Sequence, residues 1–245
     1  IEYSVFLDVN ELADEKVVSD SVEEIITMAM NSNLEIFLVS NNPDSLNINC
    51  LLPSKVHSRN NRPMLFHQAL SLAKGRMAAL LSPGWNLPIC WPKWLQNHFS
   101  WHDDVGLVKM LGDPDTARAQ IEAILPGAEV PLRQEVLSSA LLYMAIGKSS
   151  VNDNLKAPCA MIPLPVLRAC VQAFPALFQG DVIANLENLV TSMGLNCLTA
   201  LESYAYPLGE EFIIWDEEAL MKIVSILKKE RRMQEAVDLI KEHKS

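Results

Sequence analysis

The chain has 245 residues, 49% of them hydrophobic and 20% charged, with a formal charge of −10. That length allows one sizeable core and a small appendage, and the acidic balance disfavours nucleic acid or an anionic membrane surface as the principal partner. No apolar run of the roughly 18 residues that a membrane span needs is present, and the five cysteines (Cys50, Cys90, Cys159, Cys170 and Cys197) are odd in number and form no Cys-x-x-Cys pair, so buried, reduced thiols in a cytoplasmic protein are expected rather than a disulfide frame or a zinc site.

In chain order, the run at 3–9, YSVFLDV, predicts a buried strand. Its position so close to Ile1 is expected of a segment of a longer chain. The stretch 21–32 predicts a helix with Val22, Ile25, Ile26 and Ala29 on one face and a capping box of Ser21 and Glu24 at its start. LEIFLVS at 34–40 predicts a second strand, closed by the turn-rich NNPDS, in which Asn41 and Asn42 have ordinary turn chemistry. A weak strand is expected near Lys55–Val56. Residues 62–75 predict a helix with Leu65, Ala69, Leu72 and Ala73 inward and Gly75 as its stop. RMAALLS at 76–82 and VGLVKML at 105–111 predict two further buried strands on either side of a Trp-rich helix.

The remainder alternates in the same way. Helices are expected over 115–125 and 132–146, a short strand over 157–163, helices over 164–174 and 180–194, and a strand over 195–201. The last thirty residues change character: 216–230 and 233–245 read as two charged amphipathic helices forming an αα-hairpin. The basic cluster Lys228, Lys229, Arg231 and Arg232 lies there among glutamates, as a solvated helix face would. Alternating strands and helices predict an α/β fold, a mostly parallel sheet flanked by helices.

Four segments in order carry a resemblance. YSVFLDVNE, NLEIFLVSNNPDS, FHQALSLAKGRMAALLSPGWNLPICWPKWL and APCAMIPLPVLRACVQAFPALFQGDVIANLENLVTSMGLN together resemble the family 2 glycosyltransferases and their nucleotide-sugar-binding GT-A fold. The resemblance spans about residues 3–205. It implies a glycosyltransferase-like domain over 1–210, with a helical insertion at about 113–150, and a nucleotide-sugar or glycan as ligand. The hairpin at 211–245 resembles a tetratricopeptide-type helix pair, which stacks on a neighbour and implies a protein partner through the C-terminal helices.

The resemblance places donor-binding roles at Asn10, Ser40, Asn41, Ser82, Gly84 and Trp85. It also shows where this chain departs from the family. The acidic residue that closes the second strand falls at Ser40, and the metal-holding Asp-x-Asp falls at Ser82-Pro83-Gly84. Mg²⁺ and Mn²⁺ prefer carboxylate oxygens, so a divalent metal is not expected. The catalytic-base motif aligns near Gly180-Asp181. Asp181 would take a proton from an acceptor hydroxyl as base, or it would cap the following helix. Arg59, Arg62 and Lys74 are the nearest candidates to meet phosphate charge. Trp85 is suited to stack on a sugar or to fill core, Trp94 reads as core, and Asp103 and Asp104 read as a solvated turn. Two functions follow: a divergent glycosyltransferase working without the usual metal site, or a non-catalytic glycan- or protein-binding scaffold on the same fold.

Overall fold

The computed structural model describes residues 1–9, 14–46, 62–124, 134–151 and 157–208. Its elements in order are β1 (Tyr3–Asp8), α1 (Glu15–Met28), β2 (Leu34–Val39), α2 (Phe66–Leu72), β3 (Met77–Leu81), β4 (Trp85–Asn86), α3 (Trp91–Trp101), β5 (Val105–Leu111), α4 (Pro114–Ile124), α5 (Gln134–Met144), β6 (Ser149–Val151), β7 (Cys159–Pro163), α6 (Leu164–Ala173), α7 (Val182–Ser192), β8 (Asn196–Tyr204) and β9 (Tyr206–Pro207). The weak strand expected near Lys55–Val56, the donor residue Asn10, the phosphate candidate Arg59 and the hairpin at 211–245 lie outside the described residues.

Seven strands form one sheet in the order β2-β1-β3-β7-β5-β8-β6. β1 runs parallel to β2 and β3, and β5 parallel to β8, whereas β7 and β6 are antiparallel to their neighbours. The expected fold class, α/β with a mostly parallel sheet flanked by helices, is the fold observed. The central strands were legible because both of their faces are covered, which makes them continuous apolar runs. Alternate residues serve two cores. Val5, Leu7, Ile36, Leu38, Ala79 and Met161 pack under α1 and α3, while Phe6, Phe37, Leu80, Ala160 and Ile162 pack under α2, α6 and α7.

Three local expectations are corrected. α1 begins at Glu15, with Asp14 as its N-cap accepting from the Lys16 N–H, so Ser21 and Glu24 are interior to the helix. Both side chains instead reach the turn after β3: Ser21 Oγ accepts from the Gly84 N–H at 2.8 Å, and a Glu24 carboxylate oxygen accepts from the Leu87 N–H at 2.9 Å. Gly75 does not stop α2, which ends at Leu72 with Ala73 as its C-cap. A Cβ on Gly75 would lie 2.5 Å from the Ser4 backbone nitrogen, so glycine is required there by the close approach of β1. On α2 itself, Phe66, Ala69 and Leu70 face inward, while Leu72 is exposed.

α3 is fixed by its own buried face. Trp91, Leu95 and His98 are buried, and the Trp91 indole N–H donates to the Ile25 carbonyl on α1. His98 Nε2 lies 2.7 Å from Glu202 Oε1 on β8, both side chains fully buried. Trp94 is only partly buried and Trp101 is 45% exposed, so Trp91 takes the core position expected of Trp94. Among the described residues no helix is long and apolar enough to cross a membrane.

Candidate functional site

β1, β2 and β3 are parallel, so their C-terminal ends emerge on one edge of the sheet. β2 flanks β1 on one side and β3 on the other, which makes the β1/β3 boundary the point where the chain's winding reverses. A crevice forms at such a point because the two connections leave in opposite directions. It holds a cavity of about 630 Å³, within the range of small-molecule sites.

The strand ends supply Asp8, Ser40, Asn41 and Ser82 to this cavity, and the opposite wall is the start of α7 with Phe178, Gly180, Asp181 and Glu187. The apolar floor contains Phe6 and Phe66, whose ring centroids lie 4.7 Å apart, and Phe178 stacks on Phe66 at 3.5 Å. Asn41 Nδ2 donates to the Phe178 carbonyl at 3.0 Å, which ties the end of β2 to the loop before α7. Ser40 is buried, and its Oγ accepts from the Asn42 N–H at 3.0 Å, a turn role.

Asp181 is the N-cap of α7, its carboxylate accepting from the Ala184 N–H at 3.0 Å. It faces the cavity at the same time. Glu187 lies about one and a half turns into α7 and is gripped by Lys109 of β5, whose Nζ is 3.1 Å from each carboxylate oxygen. Lys109 itself is buried. The cavity is thus lined, among the described residues, by three carboxylates and by no cationic side chain.

Three of the expected donor-binding residues, Ser40, Asn41 and Ser82, are therefore brought together with Asp181, the candidate base. Gly84 and Trp85 do not line the cavity. Gly84 has φ +85°, and its carbonyl accepts from the Leu208 N–H at 2.8 Å. Trp85 pairs with Pro207 in the two-stranded β4–β9 ribbon and packs against the core under α1. The turn after β3 is held by α1 and β9, and this turns Gly84 and Trp85 to structural use. Neither Arg62 nor Lys74 lines the cavity. Lys74 lies before β3, at the opposite edge of the sheet, where its backbone N–H donates to the buried Glu35.

The positions that the resemblance aligns with the metal-holding motif do not suit a divalent ion. Ser82 and Gly84 have no carboxylate, and Gly84 lies off the cavity. No group of three or more His, Cys, Asp or Glu side chains is arranged to hold a metal ion among the described residues.

Asp8, Glu187, Lys109 and Phe178 were missed from the sequence. One signal was available: a lysine inside the apolar run VGLVKML must find a buried counter-charge. Burial raises the carboxyl of Glu24 above its ordinary value, while the Leu87 N–H opposes that shift. The buried thiols of Cys159, Cys170 and Cys197 are raised by the same desolvation and are not nucleophiles in this state.

No protein-family model matches the chain, and no curated protein matches it. Solved structures that it is similar to include TarS 1-349 of S. aureus in complex with UDP-GlcNAc, at 10% identity and TM-score 0.46, covering 93% of this chain and 67% of that one. Mannosyltransferase PcManGT from Pyrobaculum calidifontis, in complex with GDP-Man and Mn²⁺, is similar at 13% identity and TM-score 0.44, over 85% of this chain and 57% of its own. A further structure of S. aureus TarS gives 8% identity and TM-score 0.42, with this chain spanning 39% of its length.

Proposed function

We propose that the chain is a glycosyltransferase-like domain that keeps a sugar-recognising pocket at the β1/β3 crevice and does not carry out metal-dependent transfer. One observation carries this reading: the crevice is built where a donor site is expected, yet the aligned metal positions are Ser82 and Gly84 and the aligned base, Asp181, caps α7. The Asp181 carboxylate is already engaged by the Ala184 N–H, as a helix cap is. The order of the four resembling segments supports the family assignment, and the hydroxyl, amide and aromatic groups of the pocket suit a hydroxyl-bearing ring.

The competing reading is transfer without a metal, with Asp181 removing a proton from an acceptor hydroxyl. It is favoured by the position of Asp181 on the cavity wall. A protein partner through residues 211–245 is compatible with either reading.

Calorimetry and a turnover assay with UDP-, GDP- and dTDP-sugars, with and without Mn²⁺, separate them. The proposal expects no Mn²⁺-dependent increment in binding and no sugar transfer. Micromolar donor binding that requires Mn²⁺, or turnover abolished by Asp181→Asn, would overturn it.

A further inference from the structure

Several polar groups that line the crevice are already engaged by the backbone around them. Ser40 Oγ accepts from the Asn42 N–H, Asn41 Nδ2 donates to the Phe178 carbonyl, and the Asp181 carboxylate accepts from the Ala184 N–H. Glu187 differs, because its partner is a side chain that reaches it from the sheet. We infer that Glu187 is the acceptor through which the pocket recognises a secondary hydroxyl of a sugar ring. This rests on the sugar-recognising reading above and names a residue that carries it.

Glu187 shares the cavity wall with Ile183 and Ala184, the residues four and three places before it and so on the same face of α7. Lys109 Nζ lies 3.1 Å from each of its carboxylate oxygens. An ionised carboxylate has about four lone-pair sites, so one ammonium at that distance leaves acceptor capacity on both oxygens. Glu187 is 19% exposed and Lys109 1%. The accessible half of the pair is therefore the one that lines the cavity, and the lysine lies on the sheet side of it.

An apolar pair of similar volume would join β5 to α7 without burying charge. What the ion pair adds is an acceptor of fixed direction at the pocket wall. A carboxylate already held on one side loses little rotamer freedom when a ligand docks on the other. Its hydrogen bond to a hydroxyl is charge-assisted and roughly twice as strong as a neutral one. Losing one such bond is worth on the order of tenfold in affinity.

Titration of the full chain with parent compounds and their single-hydroxyl deletions tests this. One series is uridine with its 2′-deoxy and 3′-deoxy analogues; the other is N-acetylglucosamine with its 3-deoxy and 4-deoxy analogues. The series that binds shows whether the ring is a ribose or a pyranose. In the native protein one deletion is expected to cost about tenfold in affinity. The double variant Lys109→Met with Glu187→Leu keeps strand and helix packed without buried charge. In it the parent compound is expected to bind about tenfold more weakly, and the same deletion to cost less than about twofold, the coupling expected of groups in contact. Glu187→Gln, close to the native shape, is expected to give an intermediate loss and provides the same coupling if the double variant does not fold. Parent affinity unchanged in the variants, or a deletion cost equal in native protein and variants, overturns the role of Glu187 while leaving sugar recognition standing. Binding of none of these compounds, with the native protein folded by circular dichroism, overturns both.

Discussion

Lys109, buried in β5, grips Glu187 on the pocket-facing side of α7 with its Nζ 3.1 Å from each carboxylate oxygen. This contact joins a central strand to the helix that forms one wall of the cavity. Glu187 is 19% exposed and Lys109 1%, so the lysine is the partner that cannot recover its solvation if the pair is broken.

Glu187→Leu leaves Lys109 charged in the sheet without this counter-ion and is expected to destabilise the fold by about 3 kcal/mol. The double variant Lys109→Met with Glu187→Leu is expected to recover most of that loss, because an apolar pair of similar volume avoids burying charge. Urea unfolding of the four corners of the cycle measures the coupling. An additive double variant would show that the two side chains are energetically independent.

Asp181 separates capping from chemistry by its substitutions. Asp181→Ala is expected to cost about 1 kcal/mol through the lost cap on Ala184, and Asp181→Asn only a few tenths. Equal destabilisation by Asn and Ala in thermal or chemical melts would contradict a capping role.

Gly75→Ala places a methyl 2.5 Å from the Ser4 backbone nitrogen and 2.6 Å from its Oγ. Backbone cannot swing aside as a side chain does, so β1 and the end of the α2–β3 connection must separate. A loss of about 2–3 kcal/mol is expected, at the upper part of the usual overpacking range. Gly180→Ala is the informative contrast: nothing lies within 4 Å, but φ is +77°, so about 1 kcal/mol of conformational cost is expected alone. Comparison of their urea midpoints checks the order.

Alkaline pH is expected to weaken the fold. Burial pushes the Tyr3 hydroxyl up from 10.0 to about 12, with Glu2 adding to the shift, and raises the thiols of Cys159, Cys170 and Cys197 above 9.0. The unfolded chain releases these protons first, so the native state binds more of them and stability falls with pH. Their contribution is fully present below about pH 9 and is lost as pH rises through the raised native values, for Tyr3 through about 12. Urea midpoints across this range, with Tyr3→Phe as control, check the sign. A midpoint that rises or stays flat from about pH 9 upward would contradict it.

The sequence by itself determined the α/β class and nearly all of the long elements. Strands covered on both faces, such as Leu34–Val39 and Val105–Leu111, are apolar apart from Glu35 and Lys109, and helices over a sheet repeat their apolar residues at helical spacing. It also determined that Ser82 and Gly84 supply no carboxylate. The tertiary structure decided what the polar residues do, because a side chain's partner depends on which distant segment arrives beside it. Ser21 and Glu24 have the spacing of a capping box, but the turn at Gly84–Leu87 comes within reach and its N–H groups donate to them. The β4–β9 ribbon joins Asn86 to Pro207, 121 residues apart, too short a pairing to leave a periodic trace. The same holds for the cavity: Asp8, Ser82 and Glu187 meet only because parallel strands end on one edge and α7 folds back across it. Spacing along the chain has no term for that proximity, and charge acts through space rather than sequence.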